Sequence, residues 1–139
     1  DNSKKITLAN LKNEVRGVIQ VVTAQTSAVA TGTTTMPFDD TIPQNTEGVE
    51  VITQAITPIN TSSRLLFQGN IMLAHSASAS NMTIALFLFE MAAGTISETT
   101  FKIRIGTQAA GTLTINGQGG VRRNGGVAIS LLTITEIKV

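Results

Sequence analysis

The sequence predicts an all-β fold, an antiparallel β-sandwich or jelly roll, and three observations carry that prediction. β-branched runs such as Val18-Ile19-Gln20-Val21-Val22 recur along the chain, separated by turn residues. Several runs alternate apolar and polar side chains at period two, the repeat of a strand with one face in a core. The stretch Asn116 to Gly126 holds five of the twelve glycines and contains Asn116-Gly117 and Asn124-Gly125, dipeptides suited to the positive φ angles of tight hairpin turns.

The elements follow in order. From Thr7 to Arg16, Leu8, Leu11 and Val15 recur at helical spacing, with Thr7 able to cap the start and Gly17 the end. Ten residues are too few for a helix stable by itself, so residues 1–17 are expected to be a short helix or a linker. The first strand is Val18–Val22. Thr23 to Thr35 is polar and small, and Pro37 and Pro43 keep the region from Met36 to Gly48 out of any central strand, leaving loops with at most an edge strand.

Val49–Thr57 reads as a strand closed by Pro58. Arg64–Leu73 is another, with Leu65, Phe67, Ile71 and Leu73 on one face and Gly69 among them, marking a bulge or a close backbone approach. His75 to Asn81 is a Ser/Ala-rich loop. Met82–Met91 is apolar on both faces, which predicts burial on both sides. Thr99–Ile105 alternates with Phe101, Ile103 and Ile105 inward and Lys102 and Arg104 outward, and Leu113 and Ile115 repeat the scheme. In the last run, Val127–Val139, Ile129, Leu131 and Ile137 lie on one side and Leu132 and Ile134 on the other, so both sides are expected to be covered. About seven to nine strands result.

At 139 residues the chain suits one core, and residues 18–139 are assigned to it. Charged residues are 14% of the chain, against about 25% in an average soluble domain. Ten basic and nine acidic side chains are spread thinly, giving a net charge of +1 and no electrostatic footprint for nucleic acid. There is no cysteine, hence no disulfide framework and no thiolate nucleophile. The longest apolar run has about half the ~20 residues a membrane helix needs, so membrane insertion is not expected. The first residues, Asp1-Asn2-Ser3-Lys4-Lys5, carry neither an initiator Met nor a signal-peptide pattern, and the chain is read as an internal or C-terminal piece of something longer.

No constellation for chemistry stands out. His75 is the single histidine and would have to anchor any Ser-His-Asp triad, with Ser76, Ser78 and Ser80 nearby, but no nucleophile elbow accompanies it. Asp39-Asp40, with Glu47 and Glu50, could chelate calcium or cleave a glycoside; their spacing fits no calcium loop, and turn hydrogen bonds are the simpler role. The glycines near Gly117 to Gly126 meet neither nucleotide fingerprint. Arg122 and Arg123 could hold an acidic ligand or pair with a carboxylate across a subunit boundary. With five Phe and no Trp or Tyr, a sugar-stacking platform is not expected. Asn60-Thr61-Ser62 and Asn81-Met82-Thr83 match the N-glycosylation pattern, which matters only in a eukaryotic secretory route. Catalytic, cofactor and metal residues are therefore expected to be none.

Two stretches carry a resemblance. Asp1 to Leu11 resembles a junction segment of tailed-bacteriophage fibre proteins. From Val18 onward, Val-Ile-Gln-Val-Val, then Thr-Thr-Thr-Met-Pro-Phe-Asp-Asp-Thr-Ile-Pro-Gln-Asn-Thr-Glu-Gly, and finally Ile-Thr-Glu-Ile-Lys, are similar to a C-terminal phage fibre or virion-decoration module. The resemblance covers nearly the whole chain. It implies a jelly-roll sandwich that is trimeric, joined to an upstream fibre region through residues 1–17, displayed on the virion among other virion proteins, and with a host surface receptor as a candidate contact. Two departures stand out: Asn124 occupies a place where such modules often carry an aromatic, and a join with an intervening loop missing is expected at Phe87-Leu88. The alternative to a structural fibre module is a trimeric lectin-like or cytokine-like binding domain of a secreted protein. A polysaccharide-cleaving enzyme would need paired carboxylates about 5–9 Å apart in a groove.

Overall fold

The computed structural model describes residues 17–77 and 82–139. The expected helix at Thr7–Arg16, Ser78, Ser80 and the Asn81 glycosylation match lie outside the described residues. Within them the chain forms ten strands and one 3-10 turn: β1 Val18–Thr26, β2 Ala30–Gly32, β3 Val49–Ile56, β4 Arg64–His75, β5 Met82–Ala92, β6 Thr99–Ile105, β7 Leu113–Ile115, β8 Gly117–Gln118, β9 Val121–Arg122, the turn at Asn124–Gly126, and β10 Ser130–Ile137.

Two antiparallel sheets make the sandwich. The long strand β4 is the centre of the larger one: β5 pairs along one edge, Arg64↔Ala92 to Ala74↔Met82, while β10 and then β7 share the other. β1 pairs with β10 and β2 with β7, so β1 and β2 together form the far edge. The smaller sheet is β3 with β6, and β8–β9 is a separate hairpin. The jog between β1 and β2 is held by Asn116, whose Nδ2 donates to the carbonyls of Thr26 (2.9 Å) and Ala28 (3.1 Å). Asn116 is fully buried at φ 55°, a left-handed conformation that asparagine tolerates better than other non-glycine residues.

The core lies between the sheets. Leu65, Phe67 and Ile71 of β4, as their period-two spacing predicts, are buried there with Leu132 and Ile134 of β10 and Ile52 and Ile56 of β3. Phe67 joins the layers: its ring stacks on Phe89 of β5 (centroids 4.6 Å apart) and meets Phe101 of β6 edge-on (4.7 Å). Gly69 marks a close approach of backbone, because a side chain there would run into the Leu131 carbonyl of β10.

Four expectations are corrected. Strand structure continues through the polar stretch after Val22, since β10 and β7, distant in sequence, supply ladders for its Thr- and Ala-rich segments. The last strand begins at Ser130, after the 3-10 turn, where Gly125 and Gly126 take positive φ. No break separates Phe87 from Leu88: β5 is one strand, with Phe87↔Gly69 and Leu88↔Gln68 in continuous register. Finally, the described residues do not cover β5 on both sides: none of them packs over Ile84, Leu86 and Leu88, which are 56, 78 and 70% exposed.

Candidate functional site

The register of the larger sheet places a defined set of side chains on its outer face, the one turned away from β3 and β6. Residues directly opposite in an antiparallel pair point to the same side. From β1 these are Val21, Thr23 and Gln25; from β10, Leu131, Thr133 and Thr135; from β4, Leu66, Gln68 and Asn70; and from β5, Leu86 and Leu88. The Thr23 and Thr133 hydroxyls meet at 3.0 Å across this face. Arg64 and Glu90 are the charged side chains on this face of the four strands, and they pair with each other at 2.5 Å. Beside that pair a shallow cleft of about 570 Å³ opens between Ser62, Ile137 and Lys138. The result is an open, electrically neutral surface with an apolar strand along one side.

Among the described residues, both lateral edges of the same sheet are thinly guarded. β5 is eleven residues long, has no proline and carries one charge, Glu90. β1 is nine residues long with no charge and no proline, and one register irregularity between Val18 and Gln20. Natural edge strands are normally short, charged, bulged or covered, since an unpaired row of N–H and C=O groups recruits other strands.

On the opposite side of the sandwich, the Met36–Gly48 loop is fastened over the outer face of β6. Arg104 donates from Nε to the Glu47 carbonyl (2.8 Å) and from a terminal nitrogen to the Gly48 carbonyl (2.9 Å). Met36 sits against Gly48 and Gly106, where a Cβ would collide with it, and its N–H bonds Thr107. The tip carries Phe38 and Ile42, 85 and 82% exposed. Between loop and strand lies a cleft of about 470 Å³ lined by Met36, Pro43, Gln44, Asn45, Lys102 and Arg104.

The residues singled out from the sequence for chemistry are not brought together. Asp39 accepts the hydroxyl (2.5 Å) and N–H (2.9 Å) of Thr41, and these bonds hold its carboxyl below the ordinary range. Glu47 accepts the Gln44 N–H. Glu50 is bound by Lys102 (2.7 Å) and faces Arg104 (3.5 Å); the Lys102 hydrogen bond lowers its pKa against the opposing effect of desolvation, and the charges of Lys102 and Arg104 add to the lowering. His75 accepts the Ala77 N–H at Nδ1, and its ring lies against Gly111. Ser76 Oγ accepts from Thr112 N–H rather than facing His75. Arg122 folds back over Gly126, whose φ of 82° and missing Cβ make room for the guanidinium. Among the described residues no three His, Asp or Glu side chains converge as a metal site, and no helix is long and apolar enough to cross a membrane.

The chain matches no protein-family model and no curated protein.

Two features escaped the sequence reasoning. Glu136 is fully buried, its carboxylate accepting the N–H of Ile59 through both oxygens (2.9 and 3.0 Å) and of Asn60 (3.1 Å). The parity of Leu132, Ile134 and Glu136 was the available signal, since it puts the carboxylate on the core side. The exposure of Phe38 had a weaker one, the flanking Pro37 and Pro43.

Proposed function

We propose that this chain is a non-enzymatic structural module of a tailed-phage fibre or virion decoration, acting as a homotrimer on the particle surface. The open face of the larger sheet carries this reading. A small soluble domain seldom leaves Ile84, Leu86 and Leu88 of one strand to water beside a neutral sheet face, and an apolar patch of that kind is a contact surface. A face so poor in charge is matched best by another of its own kind. The same association would leave the Arg104-fastened loop at the periphery, where Phe38 and Ile42 stand ready for other virion proteins or a host receptor.

Sedimentation equilibrium of the chain at micromolar concentration tests the proposal. Three copies are expected for the native chain, and one for the Leu86→Lys, Leu88→Lys double variant, whose circular dichroism keeps the β signature. A native chain that sediments as a single copy overturns it.

The second reading, a trimeric lectin-like or cytokine-like binding domain, draws on the cleft beneath the loop. Lys102 and Arg104 there retain N–H donors beyond those bound to Glu50, Glu47 and Gly48.

A further inference from the structure

We infer that the copies join edge to edge, β1 of one chain pairing antiparallel with β5 of the next, so that the larger sheet continues around the assembly. The inference rests on the trimeric reading above and names the contact that builds it. A threefold ring cannot be made from a patch that meets itself; it needs two different, complementary patches on every copy.

The larger sheet supplies two such patches. One edge is β5 and the other is β1, continued by β2; three successive antiparallel pairings separate β1 from β5: β1 with β10, β10 with β4, β4 with β5. The two edge strands therefore run in opposite directions. Rotation about an axis parallel to the strands keeps every direction unchanged, so it brings β5 of one copy beside β1 of the next in antiparallel orientation. No strand has to be reversed. The more stable pairing geometry follows from the topology alone.

Length and charge agree with this pairing. β1 covers the stretch of the sheet that β4 spans from Arg64 to Asn70, through β10, and β5 covers the same stretch and runs on to Ala74. Neither edge presents a lysine or a proline to repel a neighbour, and Glu90 is already paired with Arg64. A dimer through two β5 strands would leave both β1 edges open, whereas the head-to-tail contact engages both β1 and β5 of every copy. Face and edge are satisfied by one arrangement. The smaller sheet covers the inner face, so it must lie outside the ring, and Leu86, Leu88 and Leu131 turn toward the axis.

Cysteine pairing reads the contact directly, because the chain contains no cysteine of its own. Chains with Val21→Cys, Thr23→Cys or Gln25→Cys on β1 are co-expressed with size-tagged chains carrying Ile84→Cys, Leu86→Cys or Leu88→Cys on β5, then oxidised. These positions share one face, and the nine combinations sample neighbouring registers; a disulfide needs Cα atoms within about 7 Å. The expected result is a disulfide-linked pair of one tagged and one untagged chain in at least one combination, with little linkage when either chain is expressed alone. A single chain bearing both cysteines of that combination is expected to yield a covalent species of three copies. Disulfides formed by the β5 variants alone would overturn the inference in favour of a β5–β5 contact. No linkage in any combination, with the native chain sedimenting as three copies, would overturn edge pairing and leave the fibre reading in place. A native chain that sediments as one copy removes both.

Discussion

The ring of Phe87 lies over Gly69, its cross-strand partner, and fills the space that glycine leaves on the inner face of the larger sheet. Such a pairing compensates a strand glycine with aromatic cover. The Leu131 carbonyl of β10 crowds the same Cβ position. Gly69→Ala is therefore expected to force both neighbours apart and to cost about 2–3 kcal/mol, as overpacking of a tight site does. Urea unfolding monitored by circular dichroism measures it, and an unchanged midpoint would contradict the close approach.

Asn116 holds the jog between β1 and β2 while its Oδ1 accepts the Ser130 hydroxyl at 2.8 Å. Removing the amide takes the partner from two part-buried carbonyls and from a buried hydroxyl. Asn116→Ala is expected to destabilise by about 2–4 kcal/mol, from unsatisfied groups and the positive φ imposed on alanine. Hydrogen exchange should show the loss first in the β2–β7 ladder, and protection there equal to the native chain would argue against the staple.

Glu136 gathers the N–H groups of Ile59 and Asn60 from the loop after β3. Gln20, with its amide nitrogen turned inward, adds a third donor at 3.1 Å. Glu136→Ala is expected to cost about 1.5–3 kcal/mol because the N–H groups lose hydrogen bonds to a charged acceptor. Chemical denaturation is the check; a loss below about 0.5 kcal/mol, the range of an ordinary surface change, would mean the loop does not depend on it.

The Glu50–Lys102 bond gives stability a pH dependence of definite sign. Glu50 has a folded pKa below its ordinary value of 4.5, so its contribution is complete above that value and is lost as pH falls through the lower folded one. Replacing Glu50 by Gln should lower the unfolding midpoint at pH 7, with the gap to the native chain closing toward pH 3. A gap that stays constant with pH would exclude the ion pair as its source.

Much of the fold was legible because burial on one face writes itself into local alternation. Leu65, Phe67 and Ile71, and Phe101, Ile103 and Ile105, could be assigned to the core from parity alone. The polar stretch holding the end of β1 and all of β2 was not legible, since its Thr, Ala and Gln residues become strand through partners about a hundred positions away. The two apolar faces of β5 were read correctly as apolar. What covers them is a property of neighbours, and alternation carries no information about neighbours. The same gap produced the expected break at Phe87-Leu88: an apolar run without a turn looked like two strands closed up, whereas β4 is long enough to pair with all of it. The candidate site was the least legible part, because a neutral face is defined by the side chains that four separate strands leave off it.

The fastening of the Met36–Gly48 loop by Arg104 has an evolutionary corollary. The latch grips backbone carbonyls and the Met36 side chain at the neck, with Gln44 bonded to Glu47 beside it, so residues from Pro37 to Ile42 contribute little to holding the loop in place. Their identities are uncoupled from the stability of the sandwich. Sequence drift, insertion or deliberate grafting at that tip can thus change what the module touches while the scaffold beneath it is inherited intact.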